Sequence, residues 1–155
     1  MKARWIVVAD ASRARVYATS DRARNLSLVQ ELDHPEGRLR DQELVSDGPG
    51  RLEKHGRGIL STMDPPTDPH EEAARHFAEQ LALALDKGRL GEAFESCMLV
   101  APAHFLGLLK ASLSAQTAKR LDGAVARDLT RLPQDRMQEA LREIVEQHTT
   151  GVFGN

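Results

Sequence analysis

The sequence predicts a single α/β domain with a mixed β-sheet, in which antiparallel N-terminal strands are followed by the order αβαβα. Residues 5–33 contain short apolar or alternating segments that are typical of adjacent strands. From residue 70 onward, segments with helical spacing of apolar residues alternate with continuous apolar runs. A chain of 155 residues can bury one substantial core, but not two full-sized ones.

The N-terminal strands are predicted from the spacing of apolar residues. Residues 5–9 form an apolar run, and apolar and polar positions alternate over residues 14–19. The polar corner at 10–13 predicts a hairpin turn between them. Residues 26–33 give a third strand, so we expect an antiparallel meander.

A long segment without periodicity follows this meander. Residues 34–69 are rich in glycine and proline, and a connection of this length is usually functional or mobile. We therefore expect residues 1–150 to form one domain that carries a long mobile loop. Residues 151–155 are expected to be a frayed tail.

The second half predicts alternating helices and strands. Apolar residues follow a helical stripe from 70 to 87, and Gly88 is placed to end this helix. The continuous apolar run at 97–101 predicts a strand that is buried on both faces. Pro102 is expected to be the first residue of the next helix. Residues 124–129 are predicted to form the last strand, before a final helix.

Composition limits the functional classes. Hydrophobic residues make up 41% of the chain and charged residues 28%, which is typical of globular domains. The net charge of −2 gives no overall attraction to nucleic acid. The single cysteine, Cys97, lies in an apolar run and is expected to be buried and inert. We recognise no signal peptide or membrane span and expect a cytoplasmic protein.

Several blocks of sequence resemble one bacterial family. They lie in the same order along nearly the whole chain and include the runs His-Pro-Glu-Gly-Arg at 34–38 and Val-Ala-Pro-Ala-His-Phe-Leu-Gly at 100–107. The other blocks are residues 5–10, 12–16 and 46–51. Together they resemble the bacterial proteins described as required for attachment to host cells.

This resemblance implies a fold and a class of partner. The family is similar to the middle domain of archaeal and eukaryotic class-one release factors and of Pelota, which has a ribonuclease-H-like fold. Release factors carry a Gly-Gly-Gln loop just before the long helix, but this sequence contains no Gly-Gly-Gln. We therefore expect a binding module that associates with the ribosome or structured RNA, rather than a peptide-releasing enzyme.

The long loop supplies candidate phosphate-binding residues. Flexible backbone amides and several cations occur together there, as phosphate binding requires. These candidates are Gly48, Gly50, Arg51, Lys54 and Arg57. The alternative is a solvated turn without a ligand.

Further cations lie outside the loop. Arg13 and Arg15 point to the same side of the predicted second strand, and Arg22 and Arg24 could extend this cationic face. His104 lies at a helix N-terminus that follows a buried strand, where it could contact an anion. The alternatives are an exposed surface protected by charge and a purely structural helix start.

Two other functional classes stay open. A metal-dependent phosphodiesterase would require Asp10 and Asp128 to converge with a helical acid such as Glu72 or Glu79. Asp10 also suits a turn, and no metal-binding motif is recognisable, so we predict neither a metal site nor a cofactor. A homo-oligomer could form if an edge strand of the sheet is unpaired.

Overall fold

The computed structural model describes residues 3–34 and 69–153, and these residues form five strands and four helices. The predicted α/β class is confirmed. The predicted loop falls almost entirely outside the described residues. None of the described helices is long and apolar enough to cross a membrane. The elements are β1 (Arg4–Ala9), β2 (Arg13–Thr19), β3 (Ser27–Asp33), α1 (Pro69–Leu90), β4 (Ser96–Ala101), α2 (Ala103–Ser112), α3 (Ala115–Ala118), β5 (Leu121–Ala126) and α4 (Gln134–Phe153).

The five strands form one mixed sheet in the order β3-β2-β1-β4-β5. β1 and β3 each pair antiparallel with β2, which confirms the predicted meander. β4 pairs parallel with both β1 and β5, which confirms the predicted mixed sheet. We call the end of the sheet at which β1, β4 and β5 terminate the carboxyl end. The turn from β1 to β2 also lies there, because β2 runs in the opposite direction.

The sheet has a core on each face, because successive side chains of a strand point to opposite sides. Val7, Val16 and Leu99 pack with α1 and α2 on the face that we call the first face. Ile6 and Met98 pack with α4 on the second face. All residues from 97 to 101 are at most 1% exposed, so β4 is buried on both faces as predicted.

The last strand begins and ends earlier than predicted. β5 covers Leu121–Ala126 instead of 124–129, and its pairing with β4 runs from Leu121 opposite Cys97 to Ala126 opposite Ala101. Pairing with an existing strand fixes these boundaries, whereas the sequence pattern was dominated by apolar residues further along the chain. Leu129 is still buried, because it packs into the core on the second face after the chain has left the sheet.

Gly88 does not end α1, contrary to prediction, because it lies inside the helix. A Cβ at this position would lie 2.4 Å from Trp5 Cη2, so the glycine permits close packing. Helix α1 is ended by the residues that follow Gly88 in the chain. Ala93 N–H donates to Gly88 O at 2.8 Å, and Glu92 N–H donates to Arg89 O at 2.9 Å. Glu92 has a φ of 57°, the left-handed conformation typical of this helix-ending motif.

The start of α2 also differs from the prediction. Pro102 is extended, with φ −58° and ψ 150°, and precedes the first helical residue, Ala103. Its carbonyl accepts a hydrogen bond from Leu106 N–H at 2.8 Å. The four-residue helix α3 was not predicted, because one helical turn contains too few residues to show a periodic pattern.

A polar network joins the C-terminal part of α1 to α3. Ser114 Oγ and Thr117 Oγ1 donate to Asp86 Oδ1 at 2.7 and 2.5 Å, and Arg89 Nε donates to Thr117 Oγ1 at 3.0 Å. The Thr117 and Ser114 hydroxyls favour the charged carboxylate and lower the pKa of Asp86. The contribution of Asp86 to stability is therefore lost as the pH falls through its folded-state pKa.

Substitution of Gly88 by alanine should lower the free energy of unfolding by about 1–2 kcal/mol. The added Cβ meets the ring of Trp5, which is 5% exposed and held against Phe94 at a centroid distance of 4.7 Å. Overpacking therefore outweighs the gain in helix propensity. Gly107→Ala is a matched control, because nothing lies within 4 Å of its Cβ position, and it should be neutral or stabilising. Urea unfolding measures both, and equal effects would contradict the packing role.

Cys97 should resist thiol reagents in the native protein. Burial, followed by the negative charge of Asp122, raises the pKa of the Cys97 thiol to about 12, so the reactive thiolate is scarce. Its modification should be slower than in urea by at least about 1,000-fold, because only opened molecules react. Native and denatured rates at pH 8 test this. Comparable rates would show that β4 is accessible.

Candidate carboxyl-end surface

The carboxyl end of the sheet gathers several chain segments. The β1–β2 turn, the start of α2 and the segment from residue 127 to 133 all follow or precede strands at this end. The start of α1 lies beside the start of α2, because Glu71 contacts His104. His34, at the end of β3, donates its N–H to Ser12 O at 2.9 Å and stacks on Phe77 of α1.

Asp10 is the turn residue between β1 and β2. Its Oδ1 accepts hydrogen bonds from Ser12 N–H at 2.8 Å and Arg13 N–H at 2.9 Å. Its Oδ2 accepts from Thr130 Oγ1 at 2.7 Å. The geometry therefore matches the turn interpretation of Asp10, because both carboxylate oxygens accept hydrogen bonds from protein groups.

The hydroxyl of Thr130 lies within hydrogen-bond distance of the carboxylates of both Asp10 and Asp128. Thr130 is 4% exposed, and its Oγ1 lies 3.1 Å from Asp128 Oδ1 as well as 2.7 Å from Asp10 Oδ2. A hydroxyl carries one proton, so it can donate fully to only one of these carboxylates. Within residues 3–34 and 69–153, no three His, Cys, Asp or Glu side chains are grouped to hold a metal ion, and this includes the helical acids Glu72 and Glu79.

The segment after β5 extends along the carboxyl end towards the β1–β2 turn. Arg127 N–H donates to Ala101 O at 2.9 Å, which holds the start of this segment beside the end of β4. Three residues later, Thr130 reaches Asp10 at the end of β1. The segment therefore passes the ends of β5, β4 and β1 in turn.

The four arginines of the predicted cationic face do not lie together, because Arg13 and Arg15 are far from Arg22 and Arg24. Arg15 forms an ion pair with Glu31, with 3.4 Å between Nε and Oε2, and Arg13 pairs in register with Asp33. Arg13 and Arg15 line an open cavity of about 430 Å³ together with Glu31, Leu32 and Asp33. Arg22 and Arg24 lie in the turn at the other end of β2, roughly 20 Å away along a strand of this length.

Two arginines of the carboxyl end were missed by the sequence analysis. Arg127 and Arg131 are exposed and flank Asp128 and Thr130 in the sequence, while the exposed Arg13 begins β2 three residues after Asp10. Within residues 3–34 and 69–153, none of these three guanidinium groups forms an ion pair with a carboxylate. Arg127 was overlooked because the predicted strand 124–129 placed it inside the sheet.

His104 joins the beginnings of α1 and α2. Its Nε2 lies 2.6 Å from Glu71 Oε1, and its side chain is 71% exposed. Arg75 Nη2 is 4.0 Å from Glu71 Oε2, so the carboxylate has two basic neighbours. This geometry gives His104 a carboxylate partner. Its predicted contact with an anion stays a prediction.

The loop candidates cannot be placed in this surface. Residues 35–68 lie outside the described part of the chain, and they include all five predicted phosphate-binding residues. Their proposed role therefore stays a prediction from the sequence. These residues are Gly48, Gly50, Arg51, Lys54 and Arg57.

A comparison with known protein families shows to which family the chain belongs. The family described as "Protein required for attachment to host cells" matches residues 5–141. The chain belongs to this family. The resemblance that the sequence blocks suggested is thereby confirmed, and the matched range of the family contains the β1–β2 turn and the segment with Arg127 and Thr130.

Two solved structures of archaeal proteins are similar to the chain. One is the crystal structure of an archaeal translation termination factor, aRF1, with a TM-score of 0.43 and 12% identity. The other is described as an archaeal protein, with a TM-score of 0.43 and 13% identity. Each alignment covers 98% of this chain but only 41% of the other. No curated protein matches the chain.

Thr130→Val should destabilise the domain by about 1–3 kcal/mol. The substitution keeps the shape of the side chain but leaves Asp10 Oδ2 without its hydroxyl donor. Thr130→Ser keeps the hydroxyl and should recover most of the lost stability. Urea unfolding of the three proteins tests this, and a valine variant as stable as the wild type would show that the contact contributes nothing.

Proposed function

We propose that this family member is an RNA-associated binding module that contacts the ribosome or structured RNA through phosphate groups. The observation that carries this proposal is that three exposed arginines, Arg13, Arg127 and Arg131, lie within three residues of Asp10, Asp128 or Thr130, whose side chains are in contact. The choice of partner follows the sequence resemblance to release-factor middle domains. The guanidinium groups of the arginines would contact the phosphate groups of the RNA.

Arginine suits this role because its planar guanidinium can donate two parallel hydrogen bonds to one phosphate. The three arginines are carried by two tied segments, since Thr130 bonds to Asp10 and Asp10 bonds to the backbone of Arg13. Binding would be local, because the net charge of the chain is −2.

The burial of aromatic rings favours structured RNA over single strands. Proteins that bind single strands usually stack bases on exposed aromatic side chains. Five aromatic side chains are at most 5% exposed: Trp5, Tyr17, Phe77, Phe94 and Phe105. Recognition through phosphates and helical shape requires no such rings.

Combined substitution of Arg127 and Arg131 by alanine should weaken binding to purified ribosomes or to a hairpin RNA. If each arginine contacts one phosphate, the slope of log K against log salt should become shallower by about one unit per lost contact. The free energy of unfolding should change by less than about 0.5 kcal/mol, since both side chains are exposed.

Arg24→Ala combined with Arg142→Ala is the matched control, because both residues are exposed and lie away from the carboxyl end. It removes the same charge and should leave most of the affinity intact. Equal losses in the two double variants would indicate unspecific attraction. Unchanged affinity and salt slope in the Arg127 and Arg131 variant would refute the proposed surface.

A further inference from the structure

The exposed large hydrophobic side chains of the described residues belong to only two elements. Leu28 and Val29 of β3 are 47% and 46% exposed, and Leu83 and Leu90 of α1 are 61% and 71% exposed. Leu28 pairs in register with Tyr17, a residue of the second-face core, so it lies on the face opposite to α1. Exposed apolar side chains such as those of Leu83 and Leu90 commonly mark an interaction surface. The carboxyl-end arginines are not part of it.

A groove lies between α1 and β3. Its volume is about 720 Å³, and Trp5, Leu32 and Gly88 contribute to its lining. Leu83 and Leu90 also line it, while more than half of each side chain remains accessible. The same surface therefore contains both protruding leucines and an apolar recess.

β3 adds an open strand edge to this surface. It is the outermost strand, and in the described part of the chain its outer side has no strand partner. Val29 has no partner in β2 either, because the register shifts there. Residues 27–33 contain no lysine or proline, which are common devices against edge pairing.

The charges of β3 point away from the groove. Glu31 and Asp33 pair in register with Arg15 and Arg13 on the second face, whereas Gln30 and Leu32 line the groove on the first face. The groove side of this strand is therefore uncharged. An amide such as that of Gln30 both donates and accepts hydrogen bonds, so it can face its own copy without repulsion.

We propose that two copies of this chain associate through the β3–α1 surface. A two-fold contact requires one patch that is complementary to itself. This patch meets the requirement, because leucines protrude beside a groove that could receive them, and because the two charged residues that line the groove, Asp86 and Lys87, have opposite signs, so the acid of one copy can face the base of the other. Antiparallel pairing of β3 with its copy would also supply partners for the open edge.

The experiment is sedimentation equilibrium of the full chain over about 1–300 µM. The wild type should be dimeric at the upper concentrations. Leu90→Glu should raise the dimer dissociation constant by at least about tenfold, because a charge would replace a leucine that the contact between the two copies removes from water. Val29→Lys should weaken the dimer comparably by placing a lysine on the open edge.

Ala111→Glu is the control, since this exposed residue of α2 takes the same charge change away from the groove. It should leave the dissociation constant within about twofold. Thermal unfolding of every variant identifies a general loss of folding. A wild type that stays monomeric, as it would if another partner fills the groove, overturns the proposal. So does a dimer that neither Leu90→Glu nor Val29→Lys weakens.

Discussion

β1 pairs antiparallel with β2 on one side and parallel with β4 on the other, and this double pairing constrains the rest of the domain. The antiparallel side allows short turns, whereas the parallel side requires long connections that cross a face of the sheet. The residues of β1 alternate between the two cores, with Val7 in one and Ile6 and Val8 in the other. Both cores therefore depend on the placement of this strand.

Parallel pairing also creates the carboxyl-end surface. The chain leaves β1, β4 and β5 at the same end of the sheet, so residues far apart in sequence meet there. The hydrogen bond from Thr130 to Asp10 joins positions separated by 120 residues and ties the segment after β5 to the first turn. This contact ties the segment that carries Arg127 and Arg131 to the turn that precedes Arg13.

The two proposed interaction surfaces use different physical properties of the same sheet. The carboxyl end presents exposed cationic side chains, which suits contact with charged backbones. The β3–α1 surface presents an open strand and apolar side chains, which suits contact with another protein surface. The two surfaces involve different residues, so substitutions can alter one surface and leave the other unchanged. RNA binding and self-association can therefore be tested separately.

The sequence by itself determined the class of fold, the antiparallel meander, the buried strand β4 and the family. These features depend on local periodicity and composition, which each segment carries without its neighbours. Only the tertiary structure decided that β5 begins at Leu121, that Gly88 lies inside α1 against Trp5, and that Thr130, between Arg127 and Arg131 in the sequence, bonds to Asp10. These features depend on strand register, on the close approach of a ring and on a hydrogen bond over 120 residues, and none of these interactions leaves a local pattern in the chain.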